Sequence, residues 1–181
     1  TITIGKPTLV DIQNFSNLKE DELISILASI EKKSEHPIAS AIVNYAQQKN
    51  IPVQEISNFE SIQGKGLKGV VNGNEYYVGN VKLISDLKIN FNNSLIEEFT
   101  SQGKTPVIIA NKDKVLGFVM VADEIKIESK QAIADLHKLG IKVIMLTGDD
   151  EKAARYMATL VGIDEVVAHV LPQDKLIKIK D

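Results

Sequence analysis

Cysteine is absent from this 181-residue sequence, and histidine is scarce, with three residues at His36, His137 and His169. The absence of cysteine excludes disulfides, thiolate metal sites and cysteine nucleophiles, and it is typical of a reducing compartment. Three scattered histidines do not build a zinc site by themselves. We therefore predict no metal site made by the side chains of this chain alone.

An excess of basic charge and a long apolar run are also missing. The formal net charge is −3 and the isoelectric point is about 5.7, so the electrostatic footprint of a nucleic-acid-binding protein is absent. No apolar run approaches the ~18 residues that span a bilayer, and no signal-peptide pattern opens the sequence. We expect a soluble, monomeric polypeptide that binds no nucleic acid.

The first half of the sequence alternates helices with strands that end in turns. Apolar residues at helical spacing predict helices over residues 20–33 and 37–48, the second with Pro37 in its favoured first turn. Strands are predicted over 53–62, 67–71 and 75–78, and the Asn-Gly-Asn turn at 72–74 joins the last two as a hairpin. Weaker helices are predicted over 81–87 and 94–102. This half is predicted to be an antiparallel sheet with helices.

From residue 105 the pattern changes. Two apolar strands flank a polar turn at 111–114, a helix is predicted over 126–139, and the mainly apolar strand IKVIMLT follows. A helix over 151–161, a strand near 166–167 and a helix from residue 173 complete a βαβαβα order. The fold class is therefore α/β, with a doubly wound sheet, and the α+β region is inserted ahead of it or within it.

The sequence LTGDD, residues 146–150, ends the apolar strand and leads directly into a helix. Ligands of open α/β sheets bind at this carboxyl edge. The Thr147 hydroxyl and exposed amides can hold phosphoryl oxygens there, and Gly148 permits close backbone approach. Capping of the helix by Asp149 or Asp150 is an equally good local interpretation.

Two further polar positions follow apolar segments. Asp123 in ADEIK stands at the end of an apolar strand, where a helix cap is the simpler interpretation. Lys175 in LPQDK stands one turn into the last predicted helix, where it could reach a phosphate. A lone lysine on a helix is more often only solvated.

The glycines of GKGLKG, residues 64–69, match the spacing G-x-G-x-x-G. The segment leads into a strand and a hairpin instead of opening a helix, which excludes a Rossmann dinucleotide site. Gly64 and Gly66 still permit close backbone approach to a phosphate or a flat ligand. A turn or bulge between strands is the simpler interpretation.

The sequence SEHP, residues 34–37, begins the second helix. Pro37 forces His36 into extended backbone, so the imidazole projects from a helix N-terminus, where partial positive charge gathers. With Glu35 as an acceptor beside it, this ring could stack on a purine and hydrogen-bond to it. A histidine that only caps the helix is the more frequent arrangement.

Taken in order, these motifs resemble those of the heavy-metal-transporting P-type ATPases, especially the copper branch. TITIG resembles the end of the family signature D-K-T-G-T-[LI]-T-x-G, and SEHP resembles the motif whose histidine contacts adenine. GKG and the pair Gly79–Asn80 resemble the remaining nucleotide-binding positions. ADEIK, TGD and LPQDK resemble successive motifs of the phosphorylation domain. The resemblance covers essentially the whole chain.

This resemblance implies two domains and two groups of site residues. Residues 8–104 would be a nucleotide-binding domain inserted in an incomplete haloacid-dehalogenase-like phosphorylation domain, residues 1–7 and 105–181. Glu35 and His36 would hold adenine, and Gly64, Gly66, Gly79 and Asn80 would line the nucleotide cleft. The implied catalytic positions are Thr147 and Gly148 at the phosphoryl group, Asp149 in the same loop, Lys175 as the neutralising cation, and Asp123 beside the pocket.

The implied function is ATP hydrolysis through an aspartyl phosphate, coupled to the export of a heavy-metal cation. Cu⁺ is the predicted cation, and ATP and Mg²⁺ are the predicted cofactors. The phosphorylated aspartate would precede Thr1 and the G-D-G-x-N-D motif would follow Asp181, so the chain would be a cytoplasmic fragment that binds ATP without phosphorylating itself. Its partner would be the rest of the pump with its transmembrane helices. Asp150 departs from the usual asparagine and adds a carboxylate near the phosphate site.

Three alternatives stay open at this point. The parent could be a pump for zinc, cadmium or cobalt, since those pumps have similar cytoplasmic domains. A soluble haloacid-dehalogenase-type phosphatase would need an aspartate nucleophile after the first strand, and Asp11 lacks the D-x-[DT]-x-T context. A non-catalytic nucleotide-binding module would keep the binding and lack the chemistry.

Overall fold

The computed structural model describes residues 2–147 and 151–168, which fold as two units. The sheet unit comprises Lys6–Ile96 and Thr105–Ala122. The α/β unit comprises the other described residues, 2–5, 97–104, 123–147 and 151–168. The chain therefore enters the sheet unit twice, once on each side of a short excursion into the α/β unit.

A six-stranded antiparallel sheet forms the sheet unit. Its strands are β1 (Thr8–Asn14), β2 (Ser57–Ile62), β3 (Gly66–Val71), β4 (Asn74–Gly79), β5 (Thr105–Ala110) and β6 (Val115–Ala122), in the order β1-β6-β5-β4-β3-β2. Between β3 and β4, Asn72 and Gly73 adopt φ angles of 48° and 78°, as a two-residue hairpin turn requires. Between β5 and β6, Asn111 Oδ1 accepts hydrogen bonds from the amides of Asp113 and Lys114. Local turn chemistry therefore sets both hairpins.

Both outer strands of this sheet are paired irregularly, and its central strands β5 and β6 are apolar and largely buried. The β1–β6 register shifts between Leu9 and Asp11, and the β2–β3 register shifts between Ser57 and Glu60. β6 pairs with β1 on one side and β5 on the other, and every residue before its last is buried. A third register shift interrupts the central β5–β6 pair, so irregular pairing occurs both at the edges of the sheet and inside it.

Two helices, α1 (Glu20–Glu31) and α2 (Pro37–Gln48), pack with the sheet in one hydrophobic cluster. On α1, Leu23, Ile24, Leu27 and Ile30 are completely buried. Each such side chain contributes about 1.5–3 kcal/mol when it leaves water. Burial extends along α1 from Leu23 through its last residue, so this helix is the main anchor of the unit.

The opposite side of the sheet carries a smaller aromatic cluster. Val119 of β6 belongs to the cluster with α1, and its neighbour Phe118 points the other way because side chains alternate along a strand. Phe118 packs edge-on against Phe15 and Phe91, with ring centroids 5.6 Å and 6.4 Å away. Two short helices lie between β4 and β5 in the sequence, α3 (Val81–Asp86) and α4 (Ser94–Thr100).

The described part of the α/β unit contains α5 (Ile127–Lys138), β7 (Ile144–Leu146), α6 (Glu151–Val161) and β8 (Glu165–Val167). β7 and β8 pair in parallel, with α6 as their connection, as a βαβ unit requires. The Asp164 carboxylate accepts a hydrogen bond from the Val143 amide at 2.7 Å and lies 2.9 Å from His137 Nε2. Side-chain contacts therefore hold α5 to the start of both strands.

Most predicted elements are confirmed. Within residues 2–147 and 151–168, all six helices lie within a few residues of their predicted positions, and the strand predicted over 53–62 begins at Ser57. The sequence does not predict β1, because its residues are only partly buried and a register shift interrupts their alternation. The helix predicted from residue 173 lies outside the described residues.

The predicted start of the α/β domain at residue 105 needs correction. β5 and β6 pair with β4 and β1 in the antiparallel sheet, and residues 105–122 belong to the sheet unit. Because β6 is buried on both faces, its sequence has the continuous apolar character that is typical of a parallel strand. The division also falls at residues 5 and 6 instead of 7 and 8, and residues 97–104 group with the α/β unit.

Candidate functional site

His36 caps the first turn of α2. Its backbone is extended, with φ −70° and ψ 140°, and Pro37 follows at the first helical position, as the sequence predicts. Its Nδ1 atom accepts a hydrogen bond from the Ile38 amide at 3.2 Å, and Ser34 Oγ accepts one from the His36 amide at 3.2 Å. In the neutral ring the Nε2–H group is then left to donate outward. The cap therefore uses Nδ1 and leaves the other nitrogen of this exposed ring available.

The two glutamates near His36 have contrasting environments. Glu35, the predicted adenine contact, is exposed. Glu31, the last residue of α1, is only 7% exposed, and burial alone raises the pKa of its carboxyl to about 7. Glu31 was not among the site residues predicted from the sequence. The available signal was its spacing of four residues from Leu27, which places a carboxyl on the buried face of an apolar helix.

Gly66 and Gly79 stand directly opposite each other in the β3–β4 pair. A Cβ atom on Gly66 would lie 2.1 Å from the Val78 carbonyl oxygen, and one on Gly79 would lie 2.2 Å from the Lys65 carbonyl oxygen. Both contacts are with backbone, which cannot move aside without separating the strands. The two predicted cleft glycines are therefore brought together, and the packing of the hairpin itself requires them.

Asn80 holds the turn that contains Gly64. Its Nδ2 donates to the Gly64 carbonyl oxygen at 3.0 Å, and its Oδ1 accepts from the Leu83 amide at 3.2 Å, which caps α3. The Asn80 amide also donates to the Lys65 carbonyl oxygen at 2.9 Å. Gly64 itself has φ +70°, and among the described residues other than its chain neighbours no atom lies within 4 Å of the position that a Cβ would take. Hydrogen bonds to Asn80 therefore hold the turn in place. The space into which a side chain at Gly64 would project is open.

Helix α1 runs along β3 in a definite direction. Ser25 Oγ accepts a hydrogen bond from Gln54 Nε2 at 2.9 Å, and Gln54 Oε1 accepts one from Asn72 at 2.6 Å, beyond the last residue of β3. Five residues further along α1, Ile30 Cγ1 lies 3.3 Å from the position of a Cβ on Gly69, in the middle of β3. The helix therefore proceeds from the end of β3 toward its start.

Continued in that direction, the end of α1 leads toward the Gly64–Gly66 turn. Glu31 follows Ile30 directly, and Ser34 is tied to it because the Ser34 amide donates to the Glu31 carbonyl oxygen at 2.8 Å. We refer to Glu31, Glu35, His36, Gly64–Gly66 and Gly79–Asn80 as the nucleotide cluster. Together these residues offer a flat exposed ring, a buried carboxyl and a backbone turn.

Thr147 lies at the carboxyl edge of the parallel pair in the α/β unit. Its amide donates to the Val167 carbonyl oxygen at 3.0 Å, which continues the β7–β8 pairing by one residue. This is the edge at which ligands of open α/β sheets bind. The other predicted residues of this loop, Gly148 and Asp149, and the predicted cation Lys175 lie outside the described residues.

Asp123 binds backbone within the α/β unit. Both of its carboxylate oxygens accept the Gly5 amide, at 3.1 Å and 3.0 Å, and the Ile4 amide donates to the Glu124 carbonyl oxygen at 2.8 Å. The N-cap position of α5 is taken by Lys126, so the helix-cap interpretation of Asp123 is wrong. Its carboxylate instead holds residues 2–5 against residues 123–126.

Residues 2–147 and 151–168 contain neither a candidate metal cluster nor a candidate membrane-spanning helix. In these ranges no group of three or more histidine, aspartate and glutamate side chains is placed to hold a metal ion. Within the same ranges no helix combines the length and the apolar character needed to cross a bilayer. Mg²⁺ stays a prediction from the resemblance.

Sequence comparison identifies a family and long relatives. The family model of the haloacid dehalogenase-like hydrolases matches residues 1–181. The chain is 43% identical over 182 residues to a copper-exporting P-type ATPase of Staphylococcus saprophyticus, covering 99% of this chain and 22% of that protein. It is 42% identical over 189 residues to a cadmium-transporting ATPase of Staphylococcus aureus, covering 99% and 26%. The chain thus spans about a quarter of the length of these relatives.

Structure comparison gives a related result. The fold matches the crystal structure of a zinc-transporting PIB-type ATPase in an E2.Pi state, with a TM-score of 0.77 and 30% sequence identity. The match covers 99% of this chain and 29% of that one. The sequence comparison and the structure comparison therefore both match heavy-metal-transporting P-type ATPases.

Proposed function

The chain belongs to the haloacid dehalogenase-like hydrolases, with heavy-metal P-type ATPases as its relatives, and from this premise we propose that it is the ATP-binding part of a heavy-metal-exporting pump. The parent protein would couple ATP hydrolysis, through an aspartyl phosphate, to export of the cation. In this proposal the chain lies in the cytoplasm, and the remainder of the pump with its transmembrane helices is its partner.

The nucleotide cluster is the observation that supports ATP binding. Its members come from four separate segments of the sequence, and their chemistry fits the parts of a nucleotide. The exposed His36 ring offers a flat surface and an Nε2–H donor for a purine. The open Gly64 turn allows backbone to approach the sugar or the phosphates. Mg²⁺ would arrive with the phosphates, since the described residues offer no cluster to hold it alone.

Glu31 adds a second group for the adenine. With a pKa of about 7, its carboxyl is divided between the protonated and ionised forms at neutral pH. The protonated form donates to a purine ring nitrogen, and the ionised form accepts from the exocyclic amine. A carboxyl that is buried at a cost to folding, with only desolvation shifting its pKa, is a candidate functional residue. Glu35, being exposed, would act at the rim.

The α/β unit would perform the phosphoryl chemistry. Thr147, at the carboxyl edge of β7, would bind the phosphoryl group together with Gly148, and Asp149 would order their loop. Lys175 would neutralise the charge that develops on that group. Asp123 would shape this pocket indirectly, by fixing Gly5 through its two carboxylate oxygens.

Nucleotide binding is tested by two substitutions of the same ring. His36→Ala removes the cap and the ring together, whereas His36→Asn keeps a side-chain acceptor that is favoured at N-cap positions. We expect His36→Asn to unfold at the wild-type temperature and yet to bind ATP about tenfold more weakly, in line with the loss of one or two good contacts. Equal ATP affinities of wild type and His36→Asn in calorimetric titration would eliminate the adenine role.

Cu⁺ is the cation that we propose for the parent pump, as in the Staphylococcus saprophyticus relative. The cadmium-transporting relative of Staphylococcus aureus has nearly the same identity to this chain, so Cd²⁺ and Zn²⁺ are the competing outcomes. The full-length protein in detergent should hydrolyse ATP faster when Cu⁺ is added under reducing conditions. Stimulation by Cd²⁺ or Zn²⁺ alone would assign the pump to the other ion class.

A further inference from the structure

Lys65 is a cation placed in the middle of the nucleotide cluster. It lies between Gly64 and Gly66 in the turn that joins β2 to β3. Its amide donates to the Ile62 carbonyl oxygen at 3.0 Å, and its own carbonyl oxygen accepts the Asn80 amide at 2.9 Å. Because the backbone is fixed on both sides, only the side chain of Lys65 is free to change its partner.

In the structure that side chain is paired with Asp86, the last residue of α3. Lys65 Nζ lies 2.5 Å from Asp86 Oδ2, and the two side chains are 40% and 53% exposed. Exposed ion pairs are weak, because water and salt screen their attraction and two long side chains lose rotamer freedom. The ammonium can therefore leave this carboxylate for a more highly charged anion at little cost.

We propose that Lys65 binds the phosphates of the nucleotide and that Asp86 is its competing partner in the unliganded protein. This inference rests on the proposed ATP site. A polyphosphate carries several negative charges and offers the ammonium more acceptors than one carboxylate does. On binding, Lys65 exchanges Asp86 for a phosphate oxygen, so Asp86 lowers the affinity for phosphorylated ligands.

The opposite effects of the two partners give the test. The 181-residue chain is titrated with ATP, ADP and adenosine at low salt. We expect Lys65→Gln to weaken ATP binding about tenfold, the value of a charge-assisted contact in partly exposed surroundings. Asp86→Asn should strengthen it about twofold to fivefold, the value of an exposed pair. The double variant should bind like Lys65→Gln, and no variant should alter adenosine binding.

Lys82→Gln is the matched control, because Lys82 is exposed on the same helix as Asp86 and its loss changes the net charge equally. Lys65→Arg should retain most of the affinity, and raising the ionic strength to about 1 M, where the Debye length is ~3 Å, should reduce the Lys65 effect. If Lys65→Gln and Lys82→Gln bind ATP alike, or if Asp86→Asn weakens binding, the inference is overturned while the ATP site stands. Absence of any ATP binding by the wild type would instead overturn the proposed function and this inference with it.

Discussion

His36 and Glu31 show how neighbouring residues determine the conformation and the burial of a single residue. The backbone of His36 follows from Pro37 alone, so the sequence predicted its conformation and its place at the start of α2. The four-residue spacing of Glu31 from Leu27 places it on the apolar face of α1, but the extent of its burial depends on the packing around that helix. A carboxyl retained in that position lowers stability wherever it is ionised, and this gives a measurable pH dependence.

The first prediction concerns Glu31→Gln. Because the folded-state pKa of Glu31 is raised from 4.5 to about 7, the wild type loses stability as pH rises from about 4.5 to 7, and the glutamine variant does not. A shift of this size corresponds to about 3 kcal/mol, at 1.36 kcal/mol for each pKa unit. Urea unfolding measures the free energy of unfolding at pH 4 and at pH 8. The difference between Glu31→Gln and wild type should shift in favour of the variant by about 3 kcal/mol between these pH values.

The unfavourable burial of an amide in place of the carboxyl is constant with pH and cancels in that comparison. Glu35→Gln is the control, because this substitution removes the same charge from a side chain that is exposed in the folded protein. A Glu31→Gln difference that stays constant between the two pH values would contradict the buried, raised-pKa carboxyl.

Among the elements, the β3–β4 hairpin is specified most completely by its own sequence. Its turn is read from Asn72-Gly73, and its far end is closed by the contact between Gly66 and Gly79. The sequence indicated these two glycines as possible ligand positions. It could not show that the backbone of each glycine occupies the space that a Cβ on the other would need. That knowledge requires the register between the strands.

The second prediction compares two glycines of this hairpin. Gly79→Ala should destabilise the protein by about 3 kcal/mol, because its Cβ would meet the Lys65 carbonyl oxygen at 2.2 Å and the backbone must shift. Gly69→Ala should change stability by less than about 1 kcal/mol, since its Cβ would lie 3.3 Å from the side-chain atom Cγ1 of Ile30, which can adjust. Thermal unfolding of the two variants measures the contrast, and similar losses would argue against the backbone contact.

At the scale of the whole molecule, pairing between strands that are distant in the sequence determines which strands form and where the two units divide. β1 and β6 join the sheet through pairs such as Thr8 opposite Ala122, and β5 joins it through pairs with β4 such as Val78 opposite Ile109. Local periodicity predicts helices such as α1 and α2 because their hydrogen bonds are local. Strand partners more than a hundred residues apart are set by tertiary packing, so the boundary at residue 105 could not be placed from pattern alone.

The third prediction follows from the sheet unit having its own core. A polypeptide of residues 6–122 contains all six strands and the complete hydrophobic cluster, and residues 97–104 would serve in it as a connecting loop. We expect it to unfold cooperatively and to bind ATP with the affinity of the full chain. Circular dichroism and calorimetric titration test this, with His36→Asn as the binding-deficient control. A polypeptide that folds but binds ATP much more weakly would place essential nucleotide contacts in the α/β unit.

The bulges in the two outer strands also bear on how copies of this protein meet one another. An edge strand exposes unpaired backbone groups that can pair with the edge of a second molecule and begin aggregation. β1 and β2 are the two edges of the six-stranded sheet, and each is interrupted beside an acidic residue, Asp11 in one and Glu60 in the other. Irregular, charged edges are poor templates for intermolecular strands. The same interruptions that hid β1 from the sequence pattern therefore favour a chain that stays dispersed at high concentration.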